Sequence, residues 1–216
     1  MNIGVICGDR WHAADVVIEG LSPLDSGSDP GGFHFDYITD TLAWSNDTLK
    51  ARDIVVLAKG NARSPVDWDP WLTEDVQQAF VDFVERGGGL LVIHSGTTGY
   101  SAEPLFRRLI GGGFVHHPHA CPVTVTSEDN AVIPAIGAQT FTAHDEHYFM
   151  ELYGDDLNHF MTSTSEHGTQ PAGWTRQQGQ GRVCVLTPGH FGPVWQDPTY
   201  RQMIAVALDW CAKGRR

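Results

Sequence analysis

Apolar residues fall into two alternating patterns along the chain. Asn2–Cys7 (NIGVIC), His34–Ile38, Asp53–Ala58 (DIVVLA), Leu90–Ile93 and Val183–Thr187 are short runs rich in aliphatic side chains. Near-continuous runs of this length predict strands buried on both faces. Between them lie segments of helical period. Ala13–Leu21 is the first of these. The second starts at Thr73, a hydroxyl N-cap followed by Glu74 and Asp75 at the positive end of the dipole. It places Val76, Phe80, Phe83 and Val84 on one face and stops at Gly87–Gly89. Ser101–Ile110 and Tyr200–Lys213 complete the helices, the last with Met203, Ile204, Ala207, Leu208 and Cys211 in register. Ser22–Gly32 (SPLDSGSDPGG) predicts a mobile loop. From Cys121 onward the chain turns to an extended pattern marked by Val123, Val125 and Phe141. Strand–helix alternation of this kind predicts an α/β protein with a parallel sheet covered on both faces, and such sheets bind ligands at the carboxyl ends of their strands.

Composition narrows the class. The 216 residues suit one domain spanning 1–216. Fourteen Lys and Arg against 26 Asp and Glu leave a formal charge of −12, with no basic block. That excludes a phosphate-tracking surface for nucleic acid and an attraction to anionic membranes. No apolar run reaches the roughly 20 residues of a membrane span, and the opening MNIGVICGDRWH lacks a basic signal-peptide start. Cys7, Cys121, Cys184 and Cys211 form no CxxC pair, which fits reduced thiols and a cytoplasmic location. The 11 histidines are the unusual component.

Five segments put polar chemistry after a strand or in a turn: Gly8–His12, Ile93–Thr97, Gly111–His119, Ala143–Tyr148 and Thr187–His190. The first, second and fifth share one sheet edge if the sheet is parallel. His94, followed by Ser95 and Gly96, sits at a sharp strand-to-helix turn of the nucleophile-elbow type, which presents its central side chain to a crevice. Against this stands a histidine that merely hydrogen-bonds a neighbouring stretch of backbone. Glu146 is a candidate general acid or base whose state depends on burial and on nearby imidazoles. Imidazole and carboxylate together suit a divalent metal such as zinc, although no HExxH helix is present and a loop of incidental histidines reads equally well. Tyr148 offers a hydroxyl to a substrate or a cap to the core. Trp11, Trp44, Trp174 and Trp195 offer faces suited to stacking on a sugar ring, against the commoner reading of a tryptophan as core, which Trp210 in the last helix follows. The glycine triplets 87–89 and 111–113 read as caps and not as phosphate loops.

These motifs in this order resemble the trehalose-utilisation (ThuA-like) family. The resemblance rests on the early turn ending in His12, on GGGLLVIHSGT, GGGFVHHP and AHDEHY, and above all on PAGWTRQQGQGRVCVLTPGHFGPVWQDPTYRQMIAVALDWCAKG. It implies a flavodoxin-like three-layer sheet of the class I glutamine amidotransferase type. His94 occupies the position of the amidotransferase cysteine, so glutaminase activity is not expected. The resemblance implies carbohydrate utilisation, with small-molecule carbohydrate as the partner and a homo-oligomer as one possible state. It points to His12, His94, His117, Glu146 and His190 as lining one crevice. The expected roles are His94 and Glu146 in catalysis, His12, Tyr148 and Trp195 in substrate binding, and His117 and His190 at a divalent metal. The expected chemistry is proton transfer on a sugar or oxidised (3-keto) glycoside, by a hydrolase, lyase or isomerase. The alternative is a sugar-binding or regulatory module without catalysis.

Overall fold

The computed structural model describes residues 1–213 except Ser28 and Pro30, both within the predicted Ser22–Gly32 loop. Strands β1 (Asn2–Cys7), β2 (His34–Ile38), β3 (Ile54–Ala58) and β4 (Gly89–Ile93) alternate with helices α1 (Ala14–Leu21) and α2 (Glu74–Glu85), close to the predicted bounds. Thr73 caps α2 by accepting from the Val76 N–H. The first half of the chain continues through α3 (Pro104–Ile110), which ends at Gly111 in the left-handed conformation. The second half contains β5 (Gly112–His116), β6 (Cys121–Ser127), β7 (Gln139–Asp145), β8 (Phe149–Leu152), β9 (Asn158–Ser165), β10 (Gly168–Gln178) and β11 (Gly181–Leu186). Two helices close it, α4 (Gly192–Gln196) and α5 (Pro198–Ala212).

The main sheet runs β2-β1-β3-β4-β11-β10-β9-β6-β7, and β5 pairs with β8 apart from it. The five strands from β2 to β11 pair in parallel, as the continuous apolar runs predict. From β11 outward the pairing is antiparallel, so the sheet is mixed. Side chains of β1 divide between two cores: Ile3, Val5 and Cys7 face α1, α4 and α5, whereas Ile6 joins the layer of α2 and α3. The three layers follow from that alternation.

The strand order reverses at β1: α1 carries the chain from β1 to β2 on one side, and β3 returns to the other. Open α/β sheets bind ligands at such a switch point, beyond the carboxyl ends of the strands. Here those ends are Gly8 after β1, Lys59 after β3, His94 after β4 and Thr187 after β11. Gly8 turns the chain with φ +88°, a conformation costly for a residue with a Cβ. After β4 the chain enters a short 3-10 turn, His94–Thr97, in which a Cβ at Gly96 would lie 2.2 Å from the Leu57 carbonyl oxygen. Only glycine lets the elbow press so closely on β3.

Candidate active site

His94 is the one non-glycine residue with positive φ among the described residues, at +45°. Backbone held there costs of order 1–2 kcal/mol, and surrounding structure must enforce it. The side chain is 1% exposed, and its Nδ1 lies 2.8 Å from the Thr187 carbonyl oxygen. A carbonyl only accepts, so Nδ1 carries the hydrogen and donates. The lone pair of the neutral ring is therefore at Nε2. Nε2 is buried, has no hydrogen-bond partner, and lies 3.5 Å from Glu146 Oε2. Burial holds the His94 pKa below the ordinary imidazole value, against the pull of Glu146 and Asp145.

His12 is oriented in the same way by Asp9. The Asp9 carboxylate accepts from His12 Nδ1 at 2.8 Å, from the backbone N–H groups of Trp11 and His12, and from Gly60 N at 2.7 Å. The lone pair of a neutral His12 ring thus falls on Nε2, 3.5 Å from the Tyr148 hydroxyl. Burial raises the Asp9 pKa, but the His12 hydrogen bond and charge and the N–H donors outweigh it and bring it down to about 2. Because the folded value lies below the ordinary 3.8, the stabilisation is present above that pH and is lost as pH falls towards 2. That difference is worth about 2 kcal/mol. Asp9→Asn is therefore expected to lower the urea midpoint at neutral pH and to leave it near wild type at pH 2, and equal losses at both pH values would refute this.

His190 follows β11. The turn that carries it is pinned at every residue. Thr187 O accepts from His94, Pro188 O accepts from the Tyr200 hydroxyl, and Gly189 O accepts from Trp195 Nε1 at 2.7 Å. The Gly189 and His190 N–H groups both donate to the Asp145 carboxylate, at 2.8 and 2.9 Å. Asp145 ends β7, so the antiparallel far end of the sheet fixes this turn, and the next residue is Glu146. Glu146 Oε2 lies 3.0 Å from His190 Nδ1, and Oε1 lies 3.5 Å from His117 Nε2. Burial raises the Glu146 pKa, but the hydrogen bond and charge of His190 beside it win and hold it far below the carboxylate range. Burial lowers the His190 pKa, yet Glu146 outweighs that and raises it.

The rings of His12, His94 and His190 stand edge to face around one point, with centroids 5.0–5.5 Å apart. Tyr148, almost fully buried, stacks on His94 at 3.9 Å. Above them opens a cavity of about 500 Å³ lined by Trp11, His12, Thr98, Phe114, His117, Glu146, Tyr148 and His190. The residue set expected from sequence thus meets in one crevice, apart from Trp195. The stacking role expected for Trp195 is corrected: it is 1% exposed beneath the His190 turn, because its indole packs on Gly20 and donates inward. Trp11 stands at the rim instead, 72% exposed, with the Arg10 guanidinium 5.0 Å over its ring. His117 sits at the mouth, with Nδ1 on the Pro118 carbonyl. His147 is a core histidine between the Ser165 hydroxyl and the Ser163 carbonyl, and His116 stacks on Phe149 outside the crevice.

Asp9, Asp145 and the buried Lys59 were not singled out by sequence. Lys59 donates to the Gly8 carbonyl and so secures the turn that leads into Asp9. The only signal for the two carboxylates is their place, each a few residues from a strand end and beside a site histidine.

Fold and site together define a flavodoxin-like α/β protein of the class I glutamine amidotransferase type, with a histidine at the elbow. The ThuA family model, described as trehalose utilisation, matches residues 9–211, and the chain belongs to that family. Among solved structures, a ThuA-like protein from Parabacteroides merdae is 17% identical with a TM-score of 0.77, covering 99% of this chain and 90% of its own. A cytoplasmic protein of Salmonella typhimurium LT2 is 17% identical with a TM-score of 0.67, covering 99% and 98%. PurLQS from Thermotoga maritima is 14% identical with a TM-score of 0.66, covering 97% and 98%. At these identities the likeness concerns the fold. No curated protein matches the chain in sequence. No helix among the described residues is long and apolar enough to cross a membrane.

Proposed function

We propose that the chain is a cytoplasmic enzyme of carbohydrate utilisation that moves a proton on a sugar or an oxidised (3-keto) glycoside. The observation that carries this reading is the divided Glu146 carboxylate. One oxygen faces the inner histidines His94 and His190, and the other faces His117 at the mouth of the cavity. A proton taken from the carbon beside a ketone by His117 Nε2 leaves an enolate, and its oxygen needs donors or positive charge close by. The Tyr148 hydroxyl, which lines the cavity beside Glu146, supplies such a donor from within. Protonation of the enolate oxygen gives an enediol, and return of the proton from His117 to the former carbonyl carbon, with loss of the neighbouring hydroxyl proton, completes an isomerisation. Trp11 at the rim offers its face to the C–H groups of a pyranose. Membership of a family described as trehalose utilisation supports the sugar class. Glutaminase chemistry is not proposed, because the elbow holds His94 and the four cysteines are buried.

The test is incubation of the protein in deuterated water with a panel of 3-keto glycosides and their parent sugars, followed by NMR. Deuterium uptake beside the ketone, or turnover, is expected for the wild type and is expected to vanish in the double variant Glu146→Gln, His94→Ala. Equal sugar binding by both proteins with no exchange by either would replace this reading with a non-catalytic binding module.

A further inference from the structure

We propose that His12, His94, Glu146 and His190 form a binding site for one divalent transition-metal ion, and that this ion is the electrophile of the crevice. One donor atom from each of the four residues lies within 4.8 Å of the other three. The positions of the ring hydrogens decide which atoms face the centre. His94 Nδ1 must donate to the Thr187 carbonyl, and His12 Nδ1 must donate to the Asp9 carboxylate, so each neutral ring presents a bare Nε2. His94 Nε2 is buried without a hydrogen-bond partner 3.5 Å from Glu146 Oε2, and His190 Nδ1 lies 3.0 Å from the same oxygen. A lone pair facing a carboxylate oxygen in a buried space is repulsive unless a cation stands between them. Full burial of His94 opposes an imidazolium in that role. A metal ion satisfies every atom at once.

The surroundings have the form that metal sites require. Ligating histidines are held by a hydrogen bond from their other nitrogen to a carboxylate or carbonyl, which fixes the ring and raises its basicity. Asp9 and the Thr187 carbonyl do this for His12 and His94, and Asp145 holds the backbone of His190. Three imidazoles and one carboxylate select borderline ions of the zinc, cobalt and iron type over magnesium or calcium, which prefer oxygen alone. His117, expected from sequence at the metal, is placed outside this set. It faces the other oxygen of Glu146 and stays free to move a proton. The site concerns the same crevice as the proposed sugar chemistry, but its existence does not depend on that chemistry.

The test is ion binding to the chelator-treated full chain, with no sugar present. Calorimetry with Zn2+, and the visible spectrum with Co2+, are expected to show one ion per chain. Mg2+ is expected to compete poorly. His94→Ala and Glu146→Gln are each expected to weaken binding at least 100-fold, and Asp9→Asn by about 10–100-fold, as for an outer carboxylate that orients a ligand. His117→Ala is expected to keep the ion. Should His94→Ala fail to fold by circular dichroism, the nearly isosteric Glu146→Gln decides the matter. No stoichiometric uptake by folded protein, or uptake that Glu146→Gln leaves unchanged, overturns the site. One bound ion without any sugar exchange upholds the site and overturns only the sugar reading. Full sugar exchange by a protein that takes up no ion overturns the site alone.

Discussion

Trp195→Ala is expected to destabilise the protein by about 3–5 kcal/mol, the range for emptying a buried tryptophan site. The indole is fully buried in the core of α1, α4 and α5. A Cβ at Gly20 would come within 2.7 Å of the Trp195 Cβ, so α1 and α4 approach closely on this pair. The Tyr200 ring meets the indole edge to face at 6.4 Å. A second loss follows from Nε1, the donor to the Gly189 carbonyl next to His190. Trp195→Phe retains most of the apolar area but leaves that carbonyl without its donor, at a cost of about 1–3 kcal/mol. Urea titration checks both variants, with a lower midpoint and an unchanged slope expected. The Phe variant is also expected to lose more kcat than its stability loss explains, since the His190 turn loosens. If Trp195 were instead a stacking platform for substrate, Trp195→Ala would raise KM and leave the midpoint where it was.

That contrast shows where the sequence was readable. Strands β1, β3 and β4 are aliphatic throughout because both faces are covered, so a one-dimensional pattern suffices to find them. The antiparallel half lacks that signature. β9 reads NHFMTSTS and β10 reads GTQPAGWTRQQ, with Pro171 and Gly173 in its middle and register shifts beside them. Half-exposed strands rich in Thr and interrupted by bulges carry little hydrophobic contrast. The site was legible where the strand-end rule applied, at His12, His94 and His190. Glu146 was legible as an acid between histidines. Asp9 and Asp145 were not, because their partners are largely backbone N–H groups, and no residue pattern marks a carboxylate that holds a turn. Trp195 was misread for a related reason: an aromatic ring near a polar motif can lie above it or beneath it, and only packing distinguishes the two.

Glu146→Gln is expected to lower turnover by about 10²–10⁴-fold, the range for removing a positioned acid–base group. The substitution keeps size and shape, so the fold and the cavity persist. What it removes is the negative charge that three imidazoles face, His94 and His190 on one oxygen and His117 on the other. An amide cannot hold His190 protonated, so in chelator-treated protein the His190 pKa is expected to fall, followed by NMR of the imidazole protons. The effect on stability has a definite pH window. The Glu146 pKa is lowered from 4.5, so its contribution is present above that value and is lost at lower pH. The His190 pKa is raised from 6.5, so its contribution is complete below that value and is lost as pH rises through the higher folded pKa. Both contributions coincide between pH 4.5 and 6.5, where Glu146→Gln is expected to lower the melting temperature most. A melting temperature lowered equally at all pH values would mean that the carboxylate acts through packing alone. A kcat within threefold of wild type, with His190 titrating unchanged, would remove Glu146 from the centre of the site.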